Sequence, residues 1–268
     1  MTESTLDVRT TAQGVTTLTL SRPDKHNALD QPLIAALHQA LATLADSDDT
    51  RVIVLTGAGK SFCAGGDLNW MKAQFDATRE QRIEQAMQLA DLLYALNTIA
   101  KPVVARVNGN AFGGGVGLLC TCDHVIADAS ARFGLTETRL GLIPATISPF
   151  VNARIGESRC RSRYLSAELF DADEAWHIGL IDERAESGQL DAKVQTMVDS
   201  LLARSPEAQG RAKRLARSQG LPIDAALLRR CAEALADSWE SAQAIEGVSA
   251  FLEKRAPDWG RRTVRLEA

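Results

Sequence analysis

Asn108-Gly-Asn-Ala-Phe-Gly113-Gly114-Gly115-Val-Gly117 lies between two apolar runs, Pro102-Val-Val-Ala-Arg-Val107 and Leu118-Leu-Cys-Thr-Cys122. The first run has the length of a buried strand, and the second can continue as a helix. A strand that turns through consecutive glycines into a helix leaves backbone N–H groups free at the turn. The positive end of the helix dipole lies behind them. Such a turn holds a phosphate, stabilises a developing oxyanion, or simply lets a helix pack closely on a strand. The phosphate-cradle pattern is absent, because no lysine followed by a hydroxyl residue occupies the required place. The dinucleotide fingerprint also fails, since no acidic residue ends a second strand at the right distance. The oxyanion reading survives, and it requires a second donor from elsewhere in the chain.

A candidate for that donor lies upstream. Arg51-Val-Ile-Val-Leu-Thr56 reads as a buried strand and Gly57-Ala-Gly-Lys-Ser61 as the turn after it, followed by Phe62-Cys-Ala-Gly65-Gly66-Asp67-Leu68. Two glycine clusters after two strands suggest two N–H groups converging on one carbonyl oxygen.

The remaining strands are expected at 6–10, 15–21, 102–107 and 124–128, with helices at 30–45, 79–99, 114–122, 157–165 and 171–178. Asp30 followed by Gln31-Pro32 is a helix start with a capping carboxylate. Beyond residue 188 the pattern is helical and charge-rich, so periodicity alone gives an α/β chain with a helical tail. No internal repeat is visible in the sequence. The 268 residues are 45% apolar, enough for one large core, and the net charge of −4 argues against a nucleic-acid partner. Cys63, Cys120, Cys122, Cys160 and Cys231 form no disulfide framework. Cys120-x-Cys122 lacks the second pair of a structural zinc site. Reduced thiols and no metal or redox cofactor are expected. With no 18-residue apolar run and a polar start, Met1-Thr-Glu-Ser, the expectation is a cytoplasmic protein without membrane contact.

Taken together, these segments closely resemble the enoyl-CoA hydratase/isomerase (crotonase) superfamily. The resemblance runs in order through Leu18-Thr-Leu-Ser-Arg-Pro23-Asp-Lys-His-Asn27-Ala28-Leu29, Ser61–Leu68, Val107–Gly115 with Cys122-Asp123, Ala131–Pro144 and Phe251–Pro257. It implies a crotonase-like α/β spiral of ββα repeats over residues 1–190. It also implies a C-terminal helical trimerisation region over 191–268, and a homo-oligomer in which two trimers pair into a hexamer. Coenzyme A would enter as part of an acyl-CoA substrate. The donors that bind the thioester carbonyl would be the N–H groups of Gly66 and Gly114.

The best-known hydratases of the superfamily carry two glutamates. Here the position two residues after the triple glycine is Gly117, and the second is Glu137 in Phe133-Gly-Leu-Thr-Glu137. The resemblance makes Glu137 the proton carrier at the α-carbon, and an apolar pocket should raise its pKa. A single glutamate leaves two chemistries open. A hydratase would use Glu137 for both proton transfers, and an enoyl-CoA isomerase needs only one base. The stretches Asp67-Leu-Asn-Trp70, Gly113–Leu118, Leu140–Phe150 and Arg154–Gly156 resemble the methylglutaconyl-CoA and isohexenylglutaconyl-CoA hydratases. On that resemblance a second substrate carboxylate would help to position water, Gly117 would leave room for a branched acyl chain, and leucine breakdown would be one setting. Thioester hydrolysis, decarboxylation and a non-catalytic RNA-binding or scaffold role are further readings of the same fold.

The resemblance further places Lys25 and His26 in the loop that flanks the nucleotide, Ala28 in the same CoA-contacting loop as a substrate-binding residue, and Ala64, Gly65, Asp67 and Leu68 beside the adenine and pantetheine. Lys254 or Arg255 would reach a phosphate, from a neighbouring subunit. Trp70 is either a wall of the acyl pocket or a core or interface residue. His38, His124 and His177 have no catalytic or ligand-spaced partners and are expected to be structural.

Overall fold

A computed structural model describes residues 4–261. The chain opens with β1 (Leu6–Thr10) and β2 (Val15–Leu20), an antiparallel pair in which Leu6 faces Leu20. Alternate residues of β2 are buried, as expected of a strand with one face on the core. Helix α1 (Gln31–Ala45) starts where Asp30 accepts a hydrogen bond from the Leu33 N–H at 3.0 Å. It buries Leu33, Ile34, Leu37, Leu41 and Leu44 at helical spacing.

From residue 52 onward the chain repeats one motif. Strand β3 (Val52–Gly57) leads to the short β4 (Ser61–Cys63) and then to α2 (Leu68–Asp76). After α3 (Arg79–Thr98), β5 (Val103–Val107) leads to the short β6 (Asn110–Phe112) and to α4 (Gly114–Thr121). Then β7 (His124–Asp128) leads to β8 (Phe133–Gly134) and a 3-10 turn at Glu137–Leu140. In these three repeats the long strands β3, β5 and β7 join one sheet and the short strands β4, β6 and β8 another, so the chain advances as a spiral.

After α5 (Ser148–Ile155), α6 (Glu157–Ser166) and α7 (Ala172–His177), β9 (Glu183–Ala185) closes the large sheet in the order β1-β2-β3-β5-β7-β9. The small parallel sheet is β4-β6-β8. From β2 to β9 the large sheet is parallel, and its central strands β3, β5 and β7 are buried on both faces, as such sheets require. Ile53, Leu55, Val103, Ala105 and Val125 face the main core, while Val52, Val54, Val104 and Ile126 face α8 (Leu190–Leu202).

The chain ends in α9 (Pro206–Ser218), α10 (Ala225–Trp239) and α11 (Ala242–Leu252). Ala232 and Ala236 of α10 pack on Ile83 and Ala86 of α3. Among the described residues no helix is long and apolar enough to cross a membrane.

The five expected strands and five expected helices are all present, with ends shifted by a residue or so. The short strands β4, β6, β8 and β9 were not anticipated. At two or three residues each they carry no periodicity, and long-range parallel pairing defines them.

Candidate active site

The small sheet delivers the site. Its three strands end side by side, and the loop after each one carries a candidate group: Gly65-Gly66 after β4, Gly113-Gly114 after β6 and Glu137 after β8. The loops are nearly in contact. A β-carbon on Gly65 would lie 3.1 Å from the Phe112 carbonyl oxygen, and one on Gly113 would lie 2.9 Å from Glu137 Oε1. Gly65 and Gly113 also have φ of 91° and 47°, so a side chain there would be strained by backbone conformation as well as crowded.

The Leu29 N–H donates to the Gly65 carbonyl at 2.7 Å and the Asp67 N–H to the Leu29 carbonyl at 2.9 Å. This bracket fixes the peptide of Gly66, whose own N–H has no partner among the described residues. Gly114 is the first residue of α4, where the N–H has no intrahelical acceptor and points out along the positive end of the dipole.

A second set of bonds stiffens the loop before α1. His26 and Asn27 adopt left-handed backbone, φ 50° and 55°. Asn27 is fully buried: its Oδ1 accepts from the Arg22 N–H at 2.9 Å, and its Nδ2 donates to the carbonyls of Ala58 and Ser61 at 2.9 and 2.8 Å. His26 Nδ1 lies 3.0 Å from Ser61 Oγ. Arg22 joins Asp30 at 2.9 Å to Asp67 at 3.0 Å and also donates to the Ala28 carbonyl. Asp67 caps α2, accepting from the N–H groups of Asn69 and Trp70 at 2.8 and 3.3 Å. Burial alone would raise the Asp67 pKa, but the Asn69 N–H, the Arg22 guanidinium and the Trp70 N–H outweigh it and hold the carboxyl below the usual range. Arg22 and Asp67 therefore build the loop geometry. The arginine lies inside the quoted sequence motif, but its role needs the fold to be seen.

These elements enclose a cavity of about 880 Å³. Its walls are mostly apolar: Trp70 and Met71 of α2, Leu142–Ile147, and Leu235, Trp239, Phe251 and Leu252 from the C-terminal helices. Helix α2 is tied to α3 by Gln85, whose Oε1 accepts from Trp70 Nε1 and Gln74 Nε2, each at 2.6 Å. It is tied to α10 by an edge-to-face contact of Phe75 and Trp239 at 5.9 Å.

Glu137 faces this cavity, and its Oε2 is buried without a hydrogen-bond partner. Burial pushes its carboxyl up to about 7, against a weaker opposing hydrogen bond from its own backbone. A carboxyl that titrates near neutrality can both take and return a proton.

Lys25, His26, Ala28, Ala64, Gly65, Gly66, Asp67, Leu68, Trp70, Gly114 and Glu137 all line the cavity. Gly117 does not. A β-carbon there would lie 2.5 Å from Ile147 Cγ2, so the space expected for a branched acyl chain is filled by isoleucine. Lys254 is exposed at the end of α11 and lies outside the cavity of its own chain, and Arg255 is held by Glu246 at 2.6 Å. His124 pairs with Glu183 at 3.2 Å, a structural position. Thr146, Lys72 and Arg139 line the cavity without having been singled out. Arg139 and Thr146 lie inside quoted stretches, but no spacing gives any of the three a role; only folding brings them to the site.

Residues 10–262 match the family described as Enoyl-CoA hydratase/isomerase. The chain is 37% identical over 254 residues to 2,3-dehydroadipyl-CoA hydratase of Escherichia coli K12, covering 93% of this chain and 96% of that one. An enoyl-CoA hydratase from Shewanella pealeana superposes with a TM-score of 0.78 at 38% identity, covering 95% of this chain and 96% of the other. One from Mycobacterium avium superposes with a TM-score of 0.83 at 34% identity, covering 96% and 99%.

Proposed function

The chain belongs to the enoyl-CoA hydratase/isomerase family, and on that premise we propose that it adds water across the double bond of a branched or glutaconyl-type enoyl-CoA. The observation that carries the reading is Glu137: a carboxyl raised to about 7, with an unbonded oxygen, beside two glycine loops in an apolar cavity. The N–H groups of Gly66 and Gly114 bind the thioester oxygen. Glu137 takes a proton from water as the water oxygen bonds to the β-carbon, and the π electrons move onto the thioester oxygen as an enolate. The same carboxyl then returns its proton to the α-carbon. Peptide donors suit the enolate because they are fixed before reaction, and each typically contributes about 2.7–4 kcal/mol.

Lys25, His26, Ala28, Ala64, Gly65, Asp67 and Leu68 are read as the CoA-binding edge, with Trp70 as a wall of the acyl pocket. Lys25, Lys72 and Arg139 line the cavity without an ion-pair partner among the described residues. They are suited to the CoA phosphates and to a second acyl carboxylate. The similarity to a 2,3-dehydroadipyl-CoA hydratase supports an acidic acyl group, and the resemblance of Leu140–Phe150 to methylglutaconyl-CoA hydratases favours a branched one. The family resemblance is the ground for reading the chain as a homo-oligomer, a dimer of trimers.

The closure of Gly117 by Ile147 favours a second reading, double-bond isomerisation. No acid stands at that position, and one carboxyl suffices to move a proton between two carbons. Product mass separates the readings. With 3-methylglutaconyl-CoA the enzyme is expected to yield a product heavier by one water, and crotonyl-CoA should turn over much more slowly. An unchanged mass with a shifted double bond would establish the isomerase, and equal rates on both substrates would remove the acidic acyl group from the account.

A further inference from the structure

Among the described residues, five side-chain polar atoms are buried without a hydrogen-bond partner: Arg51 Nε, Glu137 Oε2, Thr146 Oγ1, Tyr164 OH and Arg217 Nη1. Of these five residues, Glu137 and Thr146 are the two that line the cavity. Thr146 is 4% exposed and lies between buried Ala145 and Ile147. Its position is set by the turn that starts α5, where the Ser148 N–H donates to the Ala145 carbonyl at 3.2 Å and the Val151 N–H to the Ile147 carbonyl at 3.1 Å. A buried hydroxyl with nothing to bond destabilises a fold. Packing alone would be served as well by valine, which has the same shape and no such cost. The hydroxyl therefore asks for a partner that arrives with the substrate.

A water held in a mostly apolar site needs about two to four polar partners. Glu137 provides one. The neighbouring position, Gly117, provides none, because Ile147 covers it. We propose that the Thr146 hydroxyl is the second contact of the attacking water, holding it beside Glu137 on the face of the double bond. This rests on the hydratase reading above. One water hydrogen passes to the Glu137 carboxylate as the C–O bond forms. The other hydrogen is donated to Thr146 Oγ1 and stays on the product hydroxyl, so the threonine gains and loses no proton. Glu137 and the two glycine N–H groups remain sufficient for proton exchange at the α-carbon, which uses no attacking water.

The test compares Thr146→Val and Thr146→Ser in two reactions of the purified enzyme: hydration of the enoyl-CoA that the wild type hydrates, and deuterium uptake at the α-carbon of the matching saturated acyl-CoA. Thr146→Val is expected to lower the hydration kcat by about tenfold, the loss of one hydrogen bond, with KM and α-exchange held within about twofold. Thr146→Ser should recover most of the rate, and the valine variant should melt no lower than the wild type. Hydration by Thr146→Val at the wild-type rate would overturn the proposal and leave the hydratase intact. Equal loss of hydration and exchange would also overturn it, by reducing Thr146 to pocket shape. A wild type that exchanges but never hydrates would remove both this proposal and the reading beneath it.

Discussion

Burying Glu137 with one oxygen unbonded destabilises the folded chain whenever that carboxyl is ionised. The folded carboxyl titrates near 7 against an ordinary 4.5, so the fold binds this proton more tightly than the unfolded chain does. Stability from the group is complete below about pH 4.5 and is lost as pH rises through 7. Glu137→Gln removes the ionisation and should leave a protein more stable than the wild type by on the order of 3 kcal/mol at pH 8. The difference should shrink towards zero at pH 4.5. Denaturant melts of both proteins at the two pH values measure it; an equal difference at both would show that the carboxyl is not desolvated. The sequence segment Phe133–Glu137 was enough to single out this glutamate and the direction of its shift. Thr146 was not legible in the same way. A hydroxyl in Pro144-Ala-Thr-Ile147 gains meaning only when burial removes its partners.

At the scale of elements, three strand ends bring Gly66, Gly114 and Glu137 together, and the helices that follow hold them in place. The glycine clusters and the long strands were readable because each is a local pattern. The second sheet was not, since β4, β6 and β8 exist by pairing with one another across the spiral. The same limit explains Gly117. The sequence shows a missing side chain at that position, but not that Ile147 enters the gap from the start of α5. Gly117→Glu should therefore act as an overpacking substitution, destabilising by about 1–3 kcal/mol or more. Combining it with Ile147→Ala should cost less than the two single changes summed, because the shortened side chain frees the space. Thermal melts of the four proteins form the cycle; strictly additive losses would mean that the two positions do not meet.

Across the whole molecule, the spiral carries the Gly66 and Gly114 loops and Glu137, while the C-terminal helices supply the apolar roof. Leu235, Trp239, Phe251 and Leu252 wall the same cavity as Glu137, and the contact of Phe75 with Trp239 couples that roof to α2. The sequence showed a helical tail after residue 188, but charge-rich helices do not announce which cavity they close. Leu228 of α10 even belongs to the main core, so the tail and the spiral share a hydrophobic interior. Burial among these apolar walls raises the Glu137 carboxyl, so the raised pKa is a property of the whole fold. Its kinetic consequence is the most direct test of a single-carboxyl hydratase. With kcat/KM for hydration measured against pH, the wild type should show one ascending limb centred near 7, because Glu137 must begin as the carboxylate. Glu137→Gln should lose that limb and about 10²–10⁴-fold in rate. A limb that survives in Glu137→Gln, or a second limb falling near neutrality, would place the chemistry on another acid and contradict the account.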